Sequence, residues 1–223
     1  MRLALFDLDH TLLDGDSNAL WLSYLAGRDL LPPGTLERQD EEYARYEAGQ
    51  LDIEAYLRFQ LSLLTDRPLV DWFPLRGHFL ATEIIPRIPA SARAAIAAHR
   101  CVGDRMAILT ATHSFLADGI GELLTPLPVI APRAATRNGC LTGEISGEIC
   151  FAERKFSCLC HWLAGEGLAP ADFRAIHFYS DSSNDLPLLE QVSHPVAVNA
   201  DARLAEIARQ RGWPRQSWRC RSC

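Results

Sequence analysis

Asp7 and Asp9 stand two residues apart, directly after the apolar run Leu3, Ala4, Leu5 and Phe6, with Thr11 close behind. Residues i and i+2 of an extended chain point the same way, so the two carboxylates are expected to project together from the end of a strand. Like charges held that close need a proton or a cation between them. Two other apolar runs end in polar residues of complementary type. The run 106–109 leads into Thr110, Ala111 and Thr112, and the run 175–179 leads into Ser180, Asp181, Asn184 and Asp185. Between these two lies Lys155. Of the 22 basic residues 21 are arginine, and Lys155 is the single lysine. A lysine kept against such a bias points to a place where a compact ammonium fits and a guanidinium does not. The same residue could also be a chance survivor of that bias.

Taken in order, these groups are what phosphoryl transfer needs. A carboxylate attacks phosphorus, and a divalent cation masks its repulsion from the phosphate. Hydroxyl and ammonium groups hold the equatorial oxygens as charge redistributes. A second acid protonates the leaving oxygen and later activates water.

The elements that must position them follow from periodicity. Strands are expected at 3–6, 106–109, 128–130, 175–179 and 196–198, alternating with helices in the second half of the chain. That alternation is the pattern of an α/β protein with a doubly wound parallel sheet, whose ligands sit at the C-terminal strand ends. Between the first strand and Pro86 the sequence turns helical. Ser17 is a candidate cap for the first helix, Thr35 opens a polar one, and Asp52 can cap a third. The third carries the stripe Ile53, Tyr56, Leu57, Gln60, Leu61 and Leu64, amphipathic except for one inward amide. Asn138 and Gly139 mark a hairpin within 133–150. The expected organisation is a core of residues 1–15 and 86–213, a helical insert of 16–85, and an irregular tail of 214–223.

Composition narrows the classes. The chain has 223 residues, is 48% hydrophobic and 22% charged, and carries a formal net charge of -6. That balance gives no electrostatic footprint for nucleic acid, and no apolar run approaches membrane-spanning length. A strand starting at residue 2 or 3 leaves no room for a signal peptide before it, and seven cysteines without a framework spacing suit reduced thiols. The expectation is a cytoplasmic protein, monomer or homodimer, whose partner is a small phosphorylated metabolite. Cys220 and Cys223 form half a zinc motif at best.

On the motifs around Asp7 and Asp9, Thr110, Lys155, and Asp181 and Asp185, the chain resembles the haloacid dehalogenase superfamily of phosphatases, in the branch that includes phosphoserine phosphatase. The similarity covers about residues 2–213. It implies a Rossmann-like core with a mobile helical cap, Asp7 as a nucleophile forming an aspartyl phosphate, and Asp9 as general acid and base. It implies phosphate binding by Thr110, Ala111 and Lys155, and Mg²⁺ held by Asp7, Asp181 and the Asp9 carbonyl, with Asp185 and Asn184 supporting. The family's substrate acid falls on Asp16, one methylene shorter. Its carboxylate-binding arginine falls on Gln60, and Thr110, Ala111, Thr112 and His113 replace a serine followed by two glycines, which crowds the pocket floor. These departures argue against phosphoserine and for a phosphorylated amino alcohol such as histidinol phosphate, an assignment found in the same branch. Trp21, Tyr24, Tyr56 or His113 could meet an imidazole, and Arg45 or Arg58 could restore the missing cation. A phosphotransferase would use the same residues, and a non-enzymatic sensor would keep the pocket.

Overall fold

A computed structural model describes residues 1–124 and 126–220. The strands are β1 (Arg2–Phe6), β2 (Arg105–Leu109), β3 (Val129–Ile130), β4 (Arg133–Arg137), β5 (Cys140–Ser146), β6 (Ala175–Ser180), β7 (His194–Val198) and β8 (Arg215–Gln216). Six of them form one sheet in the order β3-β2-β1-β6-β7-β8, and every neighbouring pair is parallel. The order reverses about β1, so the Asp7 end of that strand opens where β2 and β6 diverge to either side.

Both sheet faces are covered, which is why the central strands are apolar without interruption. Ala4, Phe6, Ile108, Tyr179 and Val198 pack on one side with the helices α5 (Ala90–Cys101) and α6 (Ser114–Leu123). Leu3, Leu5, Leu109 and Phe178 pack on the other with α7 (Arg154–Gly165) and α9 (Ala202–Arg211). The short α8 (Leu186–Leu189) joins this second layer. The apolar, glycine-containing run of α6 is a helix that its sequence does not announce. Gly121 permits it to lie against β3, because a Cβ there would stand 2.5 Å from Val129 Cγ2 and 2.9 Å from the Leu127 carbonyl.

Four helices come between β1 and α5: α1 (Ser17–Ala26), α2 (Thr35–Glu47), α3 (Ile53–Ser62) and α4 (Leu69–Phe79). Trp21, Trp72 and Phe79 join α1 and α4 to the same apolar cluster as the sheet, with Trp21 edge-on to both rings. The stripe of α3 buries Tyr56, Leu57, Gln60 and Leu61. Asp52 caps α3 as expected, accepting from the Glu54 and Ala55 amides. Asp16 rather than Ser17 caps α1, its Oδ1 accepting from the Asn18 and Ala19 amides, while Ser17 N–H donates to Asp9. Asn138 and Gly139 both adopt positive φ, and they turn the hairpin β4–β5.

The expected irregular tail is corrected by the sheet. Arg215 and Gln216 pair with Ala197 and Val198, and Trp218 is 3% exposed with its ring stacked on Tyr179. A two-residue edge strand anchored by one aromatic has no periodicity to read. The half zinc motif of Cys220 and Cys223 includes Cys223, which lies outside the described residues. No helix among the described residues is long and apolar enough to cross a membrane.

Candidate active site

β1 ends at Phe6, and the chain then turns sharply, with Asp9 extended and His10 at φ 56°. Asp7 N–H still bonds the Tyr179 carbonyl, so the sheet holds Asp7 in place. The turn keeps both carboxylates at one cavity of about 100 Å³ between the strand ends and α1–α3. Thr110 and Ala111 enter it from the end of β2, Asp181, Asn184 and Asp185 from the end of β6, and Lys155 from the first turn of α7. Asp16 lines it from the cap of α1.

Lys155 Nζ donates to Asp7 Oδ1 and to Asp185 Oδ2, both at 2.7 Å. Burial alone would lower its pKa, but Asp185 and Asp7 more than offset this and hold the ammonium protonated. Burial pushes Asp7 up to about 7 against the pull of Lys155. The direct contact with an ammonium favours the carboxylate form all the same. Asp181 is raised well above the usual carboxylate range by burial, Asp7 and Asp185, and is bonded within the protein by Thr11 Oγ1 at 3.2 Å. Three carboxylates thus share one ammonium.

That deficit and its hard oxygen donors fit a divalent cation of the Mg²⁺ type. Among the described residues no cluster of three or more His, Cys, Asp or Glu side chains is arranged to hold a metal. A cation held here would draw on the Asp7 and Asp181 carboxylates, with main-chain oxygen and water completing its shell. Mg²⁺ commonly keeps several waters.

Asp9 is oriented from two sides. Thr112 Oγ1 donates to its Oδ2 at 2.5 Å, and Ser17 N–H donates to its Oδ1 at 2.7 Å. Burial and then the charge of Asp16 raise its pKa to about 6, against those hydrogen bonds. Thr112 N–H in turn donates to Thr110 Oγ1, leaving the Thr110 hydroxyl hydrogen for another acceptor.

Two expected specificity residues do not reach the cavity. Tyr56 and Leu57 line it, but Gln60 lies one turn further along α3, 3% exposed, with neither amide atom partnered. His113 precedes α6, 1% exposed, beside the Phe115 ring, and burial lowers its pKa to about 4. Trp21 and Tyr24 stack on one another in the core. Arg58 pairs with Glu54 and Glu144 at the surface, and Arg45 pairs with Glu42. Among the described residues no arginine lines the cavity.

Sequence reasoning missed the contribution of α2. Its inward stripe is polar, with Thr35, Gln39 and Glu42 buried and Tyr46 half-buried. Glu42, Tyr43 and Tyr46 line the cavity, and Tyr46 Oη bonds Ser182 Oγ at 2.9 Å. The signal was the helical spacing of these residues inside a segment read only as a polar helix. Asn18 and Phe151 were also missed.

The model of the haloacid dehalogenase-like hydrolases matches residues 4–190. The chain belongs to that family. Within it, a histidinol-phosphatase of Neisseria meningitidis is 37% identical over 96% of this chain and 97% of its own length. A phosphoserine phosphatase of Mycobacterium tuberculosis is 30% identical over 97% of this chain and 70% of its own. A Bordetella pertussis protein of unknown function has the same fold with a TM-score of 0.89 and 40% identity, covering 96% of this chain and 97% of its own. A phosphoserine phosphatase solved as a phospho-aspartyl intermediate analogue shares the fold at a TM-score of 0.69 and 22% identity, over 98% of this chain and 93% of its own. The six-stranded parallel sheet with flanking helices is this family's hydrolase fold.

Proposed function

We propose that this hydrolase is a Mg²⁺-dependent phosphomonoesterase that acts through an aspartyl phosphate on a phosphorylated amino alcohol, with histidinol phosphate the best fit. The carrying observation is the charge of the cavity wall. Lys155 is committed to Asp7 and Asp185, and the wall formed by α1–α3 presents Asp16, Asn18, Glu42 (itself paired with Arg45) and aromatic or aliphatic side chains, with no arginine among the described residues that line it. Such a wall suits a leaving group that is cationic and partly flat. A substrate carboxylate would lack a charge-assisted partner. The similarity to a histidinol-phosphatase over nearly the whole chain supports the same substrate class.

Asp7 attacks phosphorus while the ester P–O bond breaks, and protonated Asp9 gives its proton to the leaving alkoxide. Asp9 then takes a proton from water as that water attacks the aspartyl phosphate, which releases phosphate and restores Asp7. Thr112 and Ser17 hold Asp9 for both steps. Lys155, Thr110 and the Ala111 backbone would bind the equatorial oxygens, and Asp185 sets the reach of Lys155. Mg²⁺, held by Asp7, Asp181 and the Asp9 carbonyl, would supply Lewis-acid neutralisation of phosphoryl charge. Cytoplasmic amino-acid biosynthesis is the setting that this substrate class suggests.

The test is phosphate release from histidinol phosphate, O-phosphoserine and p-nitrophenyl phosphate, with and without Mg²⁺, with Asp7→Asn as the blank. The expected result is Mg²⁺-dependent turnover favouring histidinol phosphate, and none by the variant. Preference for phosphoserine would overturn the substrate, and activity surviving Asp7→Asn would overturn the mechanism.

A further inference from the structure

Asn18, one turn before Trp21 on α1, is 7% exposed and lines the cavity beside Asp16. Its side chain is only half satisfied. Nδ2 donates to Thr112 Oγ1 at 3.3 Å, while Oδ1 is buried without a partner in the protein. The orientation of this amide is set by its neighbours. Thr112 spends its hydroxyl hydrogen on Asp9 Oδ2, so it can only accept from Asn18, and Nδ2 must face it. The amide oxygen is then left over, and a buried acceptor without a partner is costly. Asp16, beside it on the cavity wall, is an acceptor too. Asp16 already takes two backbone N–H groups on Oδ1, and its charge is close enough to be felt at Asp9 and at Tyr56. An unpartnered acceptor beside a carboxylate, both at the wall of the cavity, calls for a ligand that donates.

We infer that Asn18 is a specificity-determining residue, whose Oδ1 accepts a hydrogen bond from a protonated amine carried near the scissile ester of the substrate's leaving group. The inference rests on the phosphatase reading above and refines it. Asn18 also becomes a positioning residue for Asp9, because the same amide that reads the amine holds the Thr112 hydroxyl. Recognition of the leaving group and orientation of the group that protonates it are thereby joined through one side chain.

The experiment compares histidinol phosphate with its des-amino analogue, which keeps the imidazole and the phosphate ester. kcat/KM is measured for each with the wild type, Asn18→Leu and Asn18→Asp. The wild type should prefer the amine. Asn18→Leu removes both halves of the amide, and the preference should shrink about 10- to 100-fold, the scale of one hydrogen bond to a charged group. Loss of Thr112 orientation slows both substrates and cancels in the ratio. Asn18→Asp keeps an acceptor but loses the Nδ2 donor, so it should keep the preference while lowering kcat for both. A wild-type preference left intact by Asn18→Leu would overturn the role of Asn18 but not the phosphatase reading. Wild-type turnover of both esters with no preference would overturn the amine recognition as a whole. Hydrolysis of neither by the wild type would overturn the reading on which the inference rests. If Asn18→Leu does not fold, Asn18→Asp decides alone, and a lost preference there would sink the proposal.

Discussion

Lys155 Nζ lies 2.7 Å from Asp185 Oδ2, and Ser180 Oγ donates to that same oxygen at 2.6 Å. The carboxylate is thus fixed by the end of β6 before it meets the lysine, and it fixes how far the ammonium extends toward Asp7. Both side chains are about 4% exposed. Removing one partner of such a pair leaves buried charge uncompensated. Lys155→Met should lower unfolding free energy by about 3 kcal/mol in urea titrations and reduce phosphate release at least a thousandfold. Lys155→Arg should not restore turnover, because a planar fork cannot take the place of a compact ammonium between two carboxylates.

His113 gives a pH dependence of known sign. Burial lowers its pKa from 6.5 to about 4, so between those values the unfolded chain binds the proton and the folded one does not. Its contribution to stability is full above about pH 6.5 and is lost as pH falls toward 4. Buried acids with raised pKa, Asp7 and Asp9 among them, slope the opposite way. The readout is therefore a difference. The urea midpoint of His113→Leu should fall less between pH 7 and pH 4.5 than that of the wild type, and parallel curves would refute the assignment.

Tyr46 and Ser182 join α2 to the loop that carries Asp181 and Asp185. Tyr46→Phe and Ser182→Ala should each lower kcat/KM about three- to tenfold. The double variant should be no worse than the weaker single one, with a coupling of at least about 0.5 kcal/mol. Additive losses would show that the hydrogen bond does not hold the helix over the site.

Gln60 is buried with both amide atoms unpartnered and lies outside the cavity. Gln60→Leu should raise the unfolding free energy by about 1 kcal/mol and leave kcat/KM within about threefold. A large rise in KM would return Gln60 to substrate binding.

Asn199 ties Trp218 to the turn at His10. Its Nδ2 donates to the His10 and Trp218 carbonyls, and its Oδ1 accepts from Trp218 N–H. Trp218→Ala should cost about 3–5 kcal/mol by calorimetry or urea unfolding. Asn199→Ala should also depress turnover, since it frees the His10 turn beside Asp9.

The residues legible in the sequence are those whose chemistry or periodicity is local. Asp7, Asp9, Thr110, Lys155, Asp181 and Asp185 follow apolar strands or open a helix, and a parallel sheet brings all such ends to one edge. The scarcity of lysine marked Lys155, and Asp52 and the Asn138-Gly139 turn were readable because caps and tight turns depend on a few adjacent residues. What tertiary structure alone decided are the distances between elements far apart in the chain. A helical stripe fixes which residues face inward but not where along the helix the cavity ends, so Tyr56 lies inside it and Gln60 beyond it. Burial of the polar stripe on α2, the stacking of Trp218 on Tyr179, and the half-satisfied amide of Asn18 all depend on partners supplied by other segments. The types of residue that do chemistry belong to local sequence. Which hydrogen bond is left for a substrate depends on what the folded neighbours have already taken.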